Sequence, residues 1–237
     1  MEIGRVEALY RYPVKSMAGQ RLDVAGLGWH GLDGDRRLAL RRVDDRGGFP
    51  WLQASRLADL LLFTPHGDDA GLPTHVRTPD GDDMPIFGEA LAAEIERRHG
   101  KPVQMMHMRQ GIFDDGSVSV IAVDTVEEIC RLAGHEPDAR RFRPNVIVRL
   151  TEPGPFLEDA WLGGTLSFGE GDDAPAIGVT MRDERCSMIN LDPDSARSSP
   201  EMMKAAVRAN GNNAGIYATV IRTGRLEAGQ PICFRRS

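Results

Sequence analysis

Cysteine is scarce and scattered: Cys130, Cys186 and Cys233 are the only three in 237 residues, and no Cys-x-x-Cys occurs. That excludes a disulfide framework, a zinc ribbon and a built-in iron–sulfur domain, and it suits a reducing cytoplasm. No apolar run reaches the length needed to cross a bilayer, so no membrane association is expected. Met1 to Pro13 alternates polar and apolar residues and lacks the apolar centre of a signal peptide. There is no excess of positive charge: the net charge is −6. Nothing global therefore points to nucleic acid or an anionic membrane, and any anion site must be built locally. The six histidines form no His-Glu-x-x-His, and no Gly-x-Ser-x-Gly is present. Zinc hydrolase and serine hydrolase chemistry lose their usual signatures. Internal repeats and low-complexity linkers are also missing.

What is present is a succession of short strand-like runs. Arg5–Val14, Arg21–Ala25, Arg37–Val43, Asp59–Phe63 and Thr74–Thr78 are short runs of this kind. Pro79-Asp80-Gly81-Asp82 reads as a hairpin turn into Met84–Phe87. A helix fits Glu89–His99, closed by Gly100 and Pro102, before a strand at Val103–Met108. The polar stretch Gln110–Gly116 is the expected boundary between two segments. Beyond it, Val118–Val123 is strand-like and Asp124-x-x-Glu127 has the spacing of a capping box. The following helix sets Val126, Ile129, Cys130 and Ala133 on one face and ends at Gly134. Further strands are expected at Asn145–Leu150, Thr165–Phe168, Ile177–Arg182, Ile216–Thr223 and Pro231–Phe234. Ser199-Pro200-Glu201 would cap a helix running to Ala209. Many short strands and few helices imply a mixed α/β, β-rich, barrel-like architecture rather than alternating βαβ units.

Gly26-Leu-Gly28-Trp-His-Gly31 matches the dinucleotide fingerprint letter by letter. The motif works only between a strand and a helix, and here a strand-like run follows, so it reads as a turn. The cysteines differ more usefully. Cys130 lies on the apolar face of a helix and Cys233 alternates with Ile232 and Phe234, both readings of small core residues. Cys186 follows a strand in Arg182-Asp-Glu-Arg-Cys186, where nearby arginines favour the thiolate. A thiolate there could be a soft-metal ligand, a nucleophile or a persulfide carrier. Lys15-Ser16, Asp35-Arg36 and Arg140-Arg141-Phe142-Arg143 all sit at strand ends, where cations and backbone N–H groups can present themselves to a phosphate. The plain alternative is solvated arginines flanking strands.

Taken together, Tyr12-Pro-Val-Lys15-Ser16, Gly34-Asp35-Arg36, Arg141-Phe-Arg143-Pro-Asn145, Phe156–Trp161, Arg185-Cys186–Pro193, Gly215–Ala218 and Gly224–Pro231 resemble the MOSC superfamily. The likeness is to members with an N-terminal MOSC β-barrel, here residues 1–110, followed by a MOSC domain, here 111–237, such as the mitochondrial amidoxime-reducing component. The resemblance implies a molybdenum cofactor (Mo-molybdopterin) in a cleft between the two segments. Cys186 would ligate molybdenum, and Lys15, Ser16, Arg36, Arg143 and Asn145 would contact the pterin and its phosphate. Asp124 and Thr125 would lie near the cofactor, and Arg185 beside the metal. Glu184 departs from the small polar residue usual in relatives. Neither a ferredoxin-like extension nor a membrane anchor is evident in the sequence. The implied activity is reduction of N-hydroxylated compounds such as amidoximes and hydroxylamines. Electrons would come from a separate donor protein of flavin, haem or iron–sulfur type, since the chain has no cluster cysteines. The competing expectation is sulfur transfer or cofactor handling, with Cys186 carrying a persulfide or the metal.

Overall fold

A computed structural model describes residues 1–68 and 71–236. In chain order the first half contains β1 (Glu2–Arg11), β2 (Gln20–Leu22), β3 (Val24–Gly28), β4 (Gly31–Leu32), β5 (Leu38–Arg42), β6 (Thr64–His66), β7 (His75–Arg77), β8 (Asp83–Pro85), α1 (Glu89–His99) and β9 (Val103–His107). The second half adds β10 (Val118–Ala122), α2 (Val123–Ala133), β11 (Val146–Leu150), β12 (Thr165–Phe168), β13 (Ala176–Glu184), α3 (Glu201–Asn210), β14 (Asn213–Arg222), β15 (Gly224–Glu227) and β16 (Pro231–Arg235).

Seven strands close on themselves in the order β11-β10-β14-β13-β12-β16-β1, with β1 pairing back to β11. Closure removes the free edges that an open sheet would expose. Val120, Val146, Val148, Leu166, Phe168, Ile177, Ile216 and Ile232 fill the interior. Val6 and Leu9 of β1 both point inward although they are three residues apart. A bulge at Glu7 shifts the register there and restores the inward phase, which strict alternation would have lost. β10 is buried along its whole length. Its partner β11 runs parallel to it, and α2 makes the crossover. Ile121 and Ile147 therefore face outward under α2 and α3, against Ile129, Cys130, Met202 and Ala206. One βαβ unit thus sits in an otherwise antiparallel barrel.

A second core holds Leu38, Leu40, Leu52, Leu60, Phe63, Val76, Ile86, Leu91 and Ile95. It belongs to the β5–β9 pair, the small β6-β7-β8 sheet and α1. Strand pairings run across residue 110. β1 is a barrel strand, and β3 pairs with β15, so the first four strands mix with the second half while β5 to β9 form the satellite.

Local expectations fail where burial is not alternate. Ala58–Leu62, overlapping the Asp59–Phe63 run expected as a strand, is a 3-10 turn that buries the adjacent Leu60 and Leu61. α2 begins one residue before Asp124, with Ala122 at the cap and no side-chain cap bond. Asp124 lies in the first turn, where its charge still suits the helix dipole. Ser199 does not cap α3 either: Pro200 holds that position, and the Ser199 hydroxyl meets His135 Nε2 at 2.7 Å. The Gly26–Gly31 segment is the β3–β4 hairpin, with no helix behind it. A Cβ at Gly26 would fall 2.1 Å from the Asp33 carboxylate, which would have to move to admit it.

Candidate functional site

The cleft forms where barrel strand ends meet the satellite. Its chemistry begins with a backbone device. Among the described residues, six non-glycine residues have positive φ, and Ser16, Arg36 and Arg143 are three of them, at 69°, 49° and 52°. Left-handed backbone costs an L residue roughly 1–2 kcal/mol, and such strain gathers at functional sites. A fourth, Asn212, holds the cysteine segment: its side chain donates to the Arg185 carbonyl at 2.8 Å, and its own carbonyl accepts from Arg185 N–H at 2.8 Å.

Lys15, Ser16, Arg36, Arg143, Arg185 and Cys186 all line one cavity of about 400 Å³. More than a hundred residues separate Lys15 from Arg143, so tertiary structure alone brings them together. Lys15 is 4% exposed and its Nζ lies 2.8 Å from Asp114. Burial lowers the Lys15 pKa, and Asp114 opposes that shift. Arg36 donates to buried Asp35 at 2.5 Å and to the Arg143 carbonyl at 3.0 Å. Burial works against its charge, but Asp35 overcomes it and holds Arg36 above its ordinary pKa. Arg143 is differently placed. It donates to the Met17 carbonyl at 2.8 Å and stacks on Tyr12 at 4.2 Å, with no ion pair among the described residues. Burial pushes its pKa down to about 10, still leaving it charged at neutral pH. Its Nη2 is buried without a hydrogen-bond partner, as are Arg141 Nε and Arg185 Nε on the same lining. Unpaired buried donors cost free energy unless an acceptor arrives, which marks this lining as a place for an anion.

Cys186 is exposed, directly beyond β13. The turn Ser187–Asn190 is pinned on both sides: Ile189 enters the core under the helices, and Leu191 enters the satellite core. Behind the thiol, Arg185 pairs with Asp183 and donates to the Phe142 carbonyl at 2.5 Å. Asp183 is 1% exposed and also accepts from the Ser119 hydroxyl at 3.0 Å. Burial raises the Asp183 carboxyl pKa, with Arg185 pulling it back. Cys130 is buried in the helix-covered core and its pKa is raised by burial, as a packing thiol should be.

The remaining expected residues lie elsewhere. Asn145 is buried behind Arg36: its side chain donates to the Tyr10 carbonyl and accepts from Ser119 N–H, so it braces the wall. Thr125 is fully buried, donating to Glu158 at 2.9 Å and accepting from Phe156 N–H at 2.7 Å, outside the cleft lining. Asp124 lines a separate open depression with Glu127, Glu128 and His135. Sequence reasoning gave no role to Asp114, Ser119, Asp183, Tyr217, Phe49, Gln53 or Ser55, all on the cleft lining. Asp114 lay inside the polar stretch treated as a boundary. A loop rich in acids beside an expected cation site was the available signal.

No group of three or more His, Cys, Asp or Glu side chains that could hold a metal occurs among the described residues. A metal here would rest on Cys186 and on donors carried by the bound group. No helix among the described residues is long and apolar enough to cross a membrane.

No curated protein matches the chain. Among solved structures, the YuaD protein of Bacillus subtilis aligns over 97% of this chain and 94% of its own, at 16% identity and TM-score 0.52, a likeness of fold. YiiM of Geobacillus stearothermophilus aligns over 52% of this chain and 55% of its own, at 20% identity and TM-score 0.40. The family model that matches is the MOSC domain, over residues 88–233, from α1 into β16. With more than half of its length inside that match, the chain belongs to the MOSC-domain family.

Proposed function

We propose that the cleft holds a molybdenum–pterin cofactor and that the protein reduces N-hydroxylated compounds, with electrons from a separate donor protein. The observation that carries this reading is the convergence of Lys15, Arg36, Arg143, Arg185 and Cys186 on one lining whose buried donors lack acceptors. The donor set suits the group: cations and free N–H donors for a phosphate, and one accessible thiol for a soft metal. When bound, the group would supply the two-electron chemistry of oxygen removal.

The chain's own residues do the rest. Arg143 offers an unpaired N–H and an uncompensated charge to the anionic end. Lys15 and Arg36 add charge from the opposite segment, each with a carboxylate that fixes its position. Asp183 and the Phe142 carbonyl hold Arg185, and through it the backbone that presents the Cys186 thiol. Phe49 lies beside Lys15 with its ring 5.5 Å from the ammonium, an aromatic face against that charge. Metal and pterin analysis of purified protein tests the reading. Stoichiometric molybdenum and pterin, with turnover of benzamidoxime on a chemical reductant, is the expected result. Labile sulfur on Cys186 without molybdenum would instead assign the protein to sulfur transfer.

A further inference from the structure

A second cavity, about 310 Å³, lies beside the cleft and shares Arg141, Arg143 and Met188 with it. Cys186 is not in its lining, so an occupant would not sit against the reactive thiol. Its composition is two-sided. One part is apolar, from Leu61, Leu62 and Leu191, where the satellite core meets the segment that follows the cysteine. The other part is aromatic and charged, from Tyr10, Tyr12 and three arginines, of which Arg140 is paired with Asp194 on the same lining and Arg143 has no carboxylate partner among the described residues.

Orphaned donors gather there. Tyr12 is 1% exposed, and its hydroxyl has no hydrogen-bond partner. Arg143 Nη2 and Arg141 Nε are in the same condition. Among the described residues, three of the eight buried side-chain polar atoms without a partner thus belong to residues of this one lining. A buried tyrosine hydroxyl normally finds a partner, and a core with room to spare would fill this place with phenylalanine. The ring is locked as well. Tyr12 N–H donates to Asp35 at 2.7 Å, both Arg36 and Arg143 pack on its face, and a Cβ at Gly19 would fall 2.4 Å from the ring. A rigid phenol, an unpaired guanidinium and an apolar wall together describe a receptor for a molecule with acceptor oxygens at one end and a hydrophobic body at the other.

We propose that this second cavity binds a small organic oxyanion with an apolar body, a carboxylate or a phosphate ester, separately from the cleft. The oxyanion takes a hydrogen bond from the Tyr12 hydroxyl and lies against the Arg143 charge, which the two cavities share, and the body lies against Leu61, Leu62 and Leu191. The site goes beyond the function proposed for the cleft and does not depend on molybdenum.

Calorimetric titration of the purified chain with benzoate, phenyl phosphate and inorganic phosphate tests it, with Tyr12→Phe and Thr64→Trp as variants. Thr64 is exposed and, of the two cavities, lines only the second, so a tryptophan there is expected to obstruct that cavity without touching the cleft lining. One molecule of benzoate or phenyl phosphate should bind per chain, and the tighter of the two identifies the headgroup. Tyr12→Phe keeps the ring under both arginines and loses one hydrogen bond to a charged acceptor, so binding should weaken roughly ten- to a hundredfold. Thr64→Trp should abolish binding while its thermal melt matches wild type. Absence of saturable binding to wild type overturns the proposal. So does benzoate binding that Thr64→Trp leaves unchanged, since the anion would then occupy the cleft. Inorganic phosphate binding as tightly as both aryl anions removes the apolar body from the assignment and overturns it too. Pterin content of the same samples reports on the cleft independently: pterin-loaded Thr64→Trp protein that binds no aryl anion separates the two sites.

Discussion

The barrel and the satellite solve the same packing problem in different ways. The barrel buries its valines and isoleucines inside a closed ring of seven strands, and its strand ends are free to carry polar chemistry. The satellite is assembled from a two-stranded and a three-stranded sheet with one helix, too little sheet to close, and it leans on ion pairs at its rim. Arg98 there joins Glu94, Asp59 and Asp80. The barrel contributes Arg143 before β11, Asp183 at the end of β13 and Tyr217 on β14 to the cleft lining. The satellite contributes a cover: Phe49, Gln53 and Ser55 on the far side of the cleft. Lys15, Arg36, Arg143 and Cys186 themselves sit in turns and loops at strand ends, with the rigid ring behind them and the lighter module across the cleft.

Replacing the thiol should show the largest effect. Cys186→Ser exchanges a soft donor for a hard hydroxyl and should abolish benzamidoxime reduction and molybdenum retention together, measured by turnover and metal content. Cys130→Ser, in the helix-covered core, should lower stability and leave metal content unchanged. Equal activity in Cys186→Ser and wild type would place the working residues elsewhere.

Core truncations compare the regions directly. Phe168→Ala inside the barrel should cost about 3–5 kcal/mol, and Leu60→Ala in the satellite about 2–5 kcal/mol, both read by chemical denaturation. Because Leu191 crosses from the cysteine segment into the satellite core, both variants should unfold in one transition. An early, separate transition in Leu60→Ala would mean that the satellite unfolds alone.

Arg143→Ala should next lower pterin content roughly ten- to a hundredfold per folded protein, the loss of one charge-assisted bond. Arg97→Ala on α1, far from the cleft lining, should keep wild-type content. Identical pterin in the two variants would return Arg143 to the class of structural arginines.

The smallest effects are pH-dependent and opposite in sign. Glu94 in the satellite is held below its ordinary pKa by bonds from Arg97 and Arg98. It stabilises the fold above the ordinary glutamate range, and that contribution is lost as pH falls towards its folded pKa. Glu158, beneath α2, is pushed up by burial, against hydrogen bonds from its own backbone, Thr125 and Ala122. The folded state then holds a proton that the unfolded state has released, so stability falls as pH rises from about 4.5 through the folded pKa. Glu94→Gln should flatten the acid limb of the stability profile, and Glu158→Gln the limb above it. Denaturation midpoints from pH 3 to 8 give the comparison, and parallel profiles for both variants and wild type would break it.

The sequence by itself determined the β-rich class, most strand positions, α1, and the list of cations and the one thiol worth suspecting. These follow from local periodicity and from residue chemistry, which a chain displays without folding. It also separated Cys186 from Cys130 and Cys233, because an apolar pattern and a charged strand end look different in one dimension. It misjudged places where burial follows the third dimension: the 3-10 turn at Ala58–Leu62 and the first-turn position of Asp124. Tertiary structure alone decided that β1 joins the barrel, that a bulge at Glu7 keeps Val6 and Leu9 facing inward, and that Lys15, Arg36, Arg143 and Cys186 share a cavity. It also decided which arginines keep a donor free. Arg140 spends its charge on Asp138 and Asp194, while Arg143 finds only a carbonyl and a tyrosine ring. Spacing cannot tell those two apart, because pairing depends on distances across the fold between residues that the chain keeps far apart.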